Sequence, residues 1–252
     1  RYSGSRLPEF LLTHPITERR VADTRSRTLE YKNHHYPDNS DFYIMKARTQ
    51  VLHQDNPKYS IKFFRQKLKE NSLNDDAYRY GLAIANSKAG NYDQAIEDLS
   101  GLLKKKPFYA PYIYTNIEID IAAGNYKSAL QKLKYQLTLN QNNYPLHILQ
   151  ADALWRSHQY EASAKVLTRL SRKRPEDPSI WYQLAEVRGL AGDISGVHKA
   201  RAEYFILIGA LENAKRQLNF AKKLLQKDVK GLAIVEQRMV DIVAMEKNLQ
   251  KL

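Results

Sequence analysis

Gly90-Asn91-Tyr92-Asp93-Gln94-Ala95 and Gly124-Asn125-Tyr126-Lys127-Ser128-Ala129 are one phrase written twice, 34 residues apart. The phrase returns, more worn, at His158, Tyr160 and Ser163, and again at Gly192, Ile194 and Val197. Leu99, Leu133 and Leu167 follow it in register. Ala83, Ile117, Ala151 and Ala185 precede it, and Pro107 and Pro175 flank Gln141 in a closing column. A fixed period of this size marks stacked supersecondary units. Each column has a physical reason. Small residues such as Ala83, Ala151 and Ala95 let two antiparallel helices approach closely. Gly90 and Gly124 end a first helix where the backbone must turn left-handed. Tyr92, Tyr126 and Tyr160 open the second helix, and Pro107 and Pro175 stop it. One such pair cannot bury its own apolar face, so neighbours must stack.

The period and these columns resemble the tetratricopeptide repeat. The resemblance implies an all-α fold, a right-handed superhelical solenoid of antiparallel helix pairs. Repeats are expected at 76–109, 110–143, 144–177 and 178–209. The second helix of the last, about Gly196–Ile208, carries Ala202 and is followed by Gly209, Leu211, Ala214, Leu218 and Ala221 in register. It is expected to serve again as a first helix in a shared pair, 195–227. Residues 228–252 read as an amphipathic terminal cap. Upstream, 41–75 reads as a degenerate pair with Phe42, Ala47, Ile61, Phe64 and Leu68 as its apolar positions. Residues 1–40 fall outside the solenoid, with one helix expected over 16–29, Thr17 as its N-cap, and a polar linker after it.

Composition narrows the function classes. With 43% hydrophobic and 27% charged residues the chain is globular, and no apolar run approaches the roughly 20 residues of a membrane span. It has no Cys, which excludes thiolate catalysis and Cys-based zinc sites. The net charge of +13 is spread over every segment of the chain. It therefore reads as a solvated basic surface rather than a nucleic-acid footprint. The one dense run, Arg169–Arg174, falls at a helix C-terminus, where the dipole favours cations. The chain begins with Arg1 and reads as a piece of a longer protein.

Leu11-Leu12-Thr13-His14-Pro15, followed by Arg20, Ala22-Asp23 and Arg25, is similar to the Thr-His-Pro loop and basic helix of gluzincin metallopeptidases. That segment, Asp41-Phe42-Tyr43 with Ala47-Arg48, and then the repeats together resemble the β-barrel assembly-enhancing proteases of the Gram-negative periplasm. The resemblance implies a zinc metalloprotease and chaperone whose catalytic domain, with its His-Glu-x-x-His helix, lies upstream. No pair of the seven His has that spacing here, so no catalytic residue is expected in this chain. Zinc belongs to the full-length parent alone, where the resemblance places His14 over the metal as a regulatory ligand. His34–His35 reads as solvated linker, and His158 and His198 as structural.

Tetratricopeptide solenoids hold partners on the face lined by the first helix of each repeat. The exposed columns of those helices give Tyr80, Ile84 and Lys88; Tyr114, Glu118 and Ile121; Ile148, Asp152, Trp155 and Arg156; and Tyr182 and Glu186. Tyr and Trp are common contact anchors. The acids Glu118, Asp152 and Glu186 stand where a carboxylate-binding clamp would need cations, so that clamp is not expected. The expected function is protein binding, with the barrel-assembly machinery or unfolded barrel substrates as partners and neither nucleic acid nor a membrane span. A stand-alone repeat adaptor is the first alternative. A helical-repeat RNA-binding protein is the second, and it would need a basic groove.

Overall fold

The computed structural model describes residues 18–29, 39–70 and 74–249. It divides into two compact units, 1–39 and 40–252. In the first, α1 covers Glu18–Leu29 and carries an exposed Arg27–Asp23 pair at 3.1 Å. The proposed N-cap Thr17 and the Thr-His-Pro segment lie outside the described residues.

The second unit is a run of antiparallel helices: α2 (Ser40–Leu52), α3 (Pro57–Lys69), α4 (Asp75–Lys88), α5 (Tyr92–Lys105), α6 (Ala110–Ala122), α7 (Tyr126–Leu139), α8 (Tyr144–Arg156), α9 (Tyr160–Lys173), α10 (Pro178–Leu190), α11 (Ile194–Leu207), α12 (Leu211–Leu224) and α13 (Val229–Leu249). There is no strand among the described residues. This is the all-α tetratricopeptide solenoid that the period implies.

The turns repeat atom for atom. Gly90, Gly124, Gly192 and Gly209 have φ between 78° and 81°. The next residue's N–H then reaches back to a carbonyl five residues earlier, Asn91 to Asn86 at 2.9 Å and Asn125 to Asp120 at 2.8 Å, closing each first helix. His158 stands in the same place with φ 62°, and Gln159 N–H still bonds Leu154 O at 2.8 Å. Its ring Nδ1 lies 2.6 Å from the Tyr160 hydroxyl. An L-residue held left-handed costs about 1–2 kcal/mol. His158→Gly is therefore expected to stabilise the chain by about 0.5–1 kcal/mol, after the lost ring contact and the greater freedom of unfolded glycine are subtracted. A thermal melt checks this, and a lower melting temperature would mean that the ring contact outweighs the strain.

The periodic apolar columns are interior. Ala83, Ala95, Ala129 and Ala151 are buried, as are Leu99, Leu133 and Leu167. Ser163 replaces the small apolar residue of its column, and its hydroxyl is satisfied by Ala151 O at 2.8 Å. Helix α11 packs on both α10 and α12, and Ala202 joins Ala214, Leu218 and Ala221 in one cluster with Val235 and Ile242 of α13. In the first pair, Ile44, Ala47 and Val51 form the buried stripe of α2. Phe42 lies off that stripe and is 58% exposed, contrary to its expected apolar role. Phe64 of α3 sets its ring against Gly81 of α4, so closely that a Cβ there would lie 2.5 Å from it.

Candidate functional site

First helices of neighbouring repeats touch one another, α2 on α4, α4 on α6 and α6 on α8. Between them opens a groove of about 460 Å³. Its walls are Met45 and Arg48 of α2, Tyr80 of α4, Pro111, Tyr114 and Glu118 of α6, Tyr144, Pro145, Ile148 and Leu149 of α8, and Ser179 and Gln183 of α10.

The groove is largely apolar, and a hydrogen-bonded cluster stands at one end of it. Arg48 forks onto Glu118 with contacts of 2.7 and 3.0 Å, and it also reaches Thr115 Oγ1 at 3.2 Å and Tyr80 Oη at 3.3 Å. Tyr80 Oη and Thr115 Oγ1 are 3.0 Å apart. The bond to Glu118 holds the Arg48 guanidinium well above its ordinary pKa, against the opposing effect of burial. The tyrosines of the rim are tethered too. Asn143 Nδ2 donates to Tyr114 Oη at 2.7 Å. Tyr144 Oη donates to Asp177 Oδ2 at 2.9 Å, and the Arg174 guanidinium stacks 4.2 Å from the Tyr144 ring centroid. Rings fixed before a partner arrives lose little freedom on binding.

Asp177 also caps α10, accepting from Ser179 N–H at 3.0 Å and Ser179 Oγ at 2.6 Å. The Ser179 hydroxyl is the first cause that holds its pKa below the ordinary 3.8. A depressed carboxylate contributes stability above its unfolded pKa and loses it as pH falls through the folded value. Asp177→Ala is therefore expected to cost about 1 kcal/mol at neutral pH. The gap between wild-type and variant melting temperatures should close as pH falls below 3.8. A constant gap down to strongly acid pH would contradict the cap.

Of the residues expected in the groove, the structure brings Tyr80, Tyr114, Glu118 and Ile148 together. Four of the expected residues need correction. Tyr80 is fully buried, because α2 covers α4, and Ile84 is buried in the same cluster. Ile121 is buried with Leu146 and Ala153 between α6 and α8. Lys88 is not a groove cation either. Its ammonium donates to the carbonyls of Val51 at 3.3 Å and Gln54 at 2.8 Å, closing the end of α2. Asp152, Trp155 and Glu186 line a small adjoining cleft that shares Gln183 with the groove, and Tyr182 is exposed beside Tyr204 with ring centroids 5.5 Å apart.

The expected acidic character does not survive pairing. Glu118 meets Arg48, Asp152 meets Arg156 at 2.8 Å, and Glu186 meets Arg201 at 3.4 Å. Sequence reasoning missed Met45 and Arg48, which sit in the pair without repeat columns. It also missed Pro111, Pro145 and Ser179, although all three occupy the second position of their repeats and that column was the available signal.

A family model described as "Tetratricopeptide repeat" matches residues 120–187. The chain is a tetratricopeptide-repeat solenoid. The β-barrel assembly-enhancing protease of Escherichia coli strain K12 is 31% identical over 88% of this chain, and that of Yersinia pestis is 29% identical over 83%. The match covers 45% and 43% of those relatives, so this repeat chain spans about half the length of the curated relatives it matches. Among solved structures, MamA from Desulfovibrio magneticus RS-1 has the same fold, with a TM-score of 0.51 at 17% identity, covering 70% of this chain and 98% of that one. No helix among the described residues is long and apolar enough to cross a membrane. No three His, Asp or Glu side chains among them are grouped to hold a metal.

Proposed function

We propose that this solenoid is the partner-binding part of a zinc metalloprotease and chaperone of the Gram-negative periplasm, acting in outer-membrane β-barrel assembly. The groove would hold an extended apolar segment of a protein partner, either the assembly machinery or an unfolded barrel substrate. The observation that carries this reading is the 460 Å³ apolar groove with tethered tyrosines on its rim. The relatives' names supply the pathway. The zinc would belong to the rest of the full-length protein. There His14, outside the described residues, would approach the metal as a regulatory ligand. Nucleic acid is not part of this reading.

The test uses the full-length protein in cells. A photo-reactive residue at Ile148 is expected to cross-link to barrel-assembly components, and one at Tyr135, exposed on α7 and outside the groove, is not. Equal adducts at both positions, or none at Ile148, would remove the groove from the account. Purified full-length protein should contain zinc, and His14→Ala should raise its self-cleavage. A metal-free protein would leave the adaptor reading in place.

A further inference from the structure

A second cleft, of about 600 Å³, lies between α7 and α9 and shares no lining residue with the groove. Three cations line it: Lys134 of α7, and Arg169 and Lys173 of α9. No carboxylate lines it, and none of the three makes an ion pair among the described residues. Some lysines elsewhere on the solenoid are paired with carboxylates, as Lys132 is with Asp120 at 2.7 Å and Lys105 with Asp76 at 2.7 Å. The basic run of α9 thus divides by side. Arg174 stacks on Tyr144, while Arg169 and Lys173, one helical turn apart, face the cleft.

Arg169 is also aimed. His147 is buried, and its Nε2 lies 2.9 Å from Gln141 O, which can only accept, so Nε2 carries the proton. Nδ1 then accepts from Arg169 Nη2 at 3.3 Å, with the Gln150 side-chain amide at the same distance. Lys173 Nζ donates to Asn142 Oδ1 at 2.7 Å.

We propose that this cleft binds an acidic, extended segment of a protein partner. Side chains one helical turn apart leave the helix about 6 Å from each other at Cβ. Carboxylates on alternate residues of an extended chain repeat at about 7 Å, which matches them. Asn142 and Gln150 offer amide groups for the backbone of such a segment, and Leu137 gives an apolar wall. The cations stand on two helices across the width of the cleft, an arrangement that suits several spaced charges better than one phosphate group.

The proposal is independent of the groove and is tested on the full 252-residue chain. The probe is a fluorescein-labelled peptide of alternating glutamate and serine, read by anisotropy at two salt concentrations. Binding should weaken with salt, and Lys134→Gln, Arg169→Gln and Lys173→Gln together should weaken it about tenfold or more. Lys165→Gln, Arg172→Gln and Lys223→Gln remove the same charge from exposed sites outside the cleft and should have little effect. Equal loss in both triple variants would assign the affinity to general surface charge and overturn the site. So would absence of peptide binding. Binding to phosphatidylglycerol vesicles or to polyphosphate, but not to the peptide, would overturn the ligand class. Circular dichroism melts confirm that both variants fold.

Discussion

Replacing Tyr80 by Ala is expected to destabilise the chain by about 3–5 kcal/mol, as much as truncating a core leucine. The ring is fully buried between α2, α4 and α6, against Tyr112 at a centroid distance of 5.5 Å. Leu133→Ala, at 0% exposure, serves as the matched control. Tyr182→Ala, at 54% exposure, should cost no more than about 1 kcal/mol. Tyr80→Phe keeps the ring and removes only the hydroxyl bonded to Thr115 and Arg48, so a loss of about 1 kcal/mol is expected. Denaturant melts of the four variants measure the series. A Tyr80→Ala variant as stable as Tyr182→Ala would mean that α2 does not cover α4 in solution.

Gly81→Val should unseat the first helix pair. A Cβ at this position would stand 2.5–2.8 Å from three atoms of the Phe64 ring, which is itself buried. Moving that ring should cost about 2 kcal/mol or more, beyond what the better helix former returns. Solenoid stability is a sum of repeats and of the interfaces between neighbours, so the loss should be local. Hydrogen exchange is expected to quicken over residues 40–70 and stay unchanged in α9 to α12. Adding Phe64→Leu should recover part of the loss, as it frees space at the same contact. Uniform loss of protection along the chain, or none, would contradict this joint.

These two sites show where the sequence was legible and where it was not. The turns at Gly90, Gly124 and Gly192 could be read because the left-handed backbone admits few residues, and His158 kept the conformation after losing the glycine. The columns of Ala83, Leu99 and their repeats could be read because close helix packing recurs at every joint. The groove was harder. Column position places a residue on the first-helix face, but burial there depends on the neighbouring first helix. Tyr80 and Tyr182 share a column, yet one lies beneath α2 and the other is open. Charge misled for the same reason. Glu118 pairs with an arginine 70 positions earlier in the chain, in the pair with the weakest repeat signal. Ala202, Ala214 and Leu218 stay in register after the phrase itself fades, and they share one buried cluster.

The central claim is that the first-helix groove engages an extended protein segment. The most direct measurement is the affinity of this chain for a labelled peptide spanning one strand of an unfolded outer-membrane barrel protein, with and without Ile148→Arg. Ile148 is a half-buried wall of the groove, and an arginine there would block it with little cost to the fold. The account predicts saturable binding by the wild type and a loss of tenfold or more, about 1.4 kcal/mol, in a variant that melts normally. Unchanged affinity in the folded variant would contradict it.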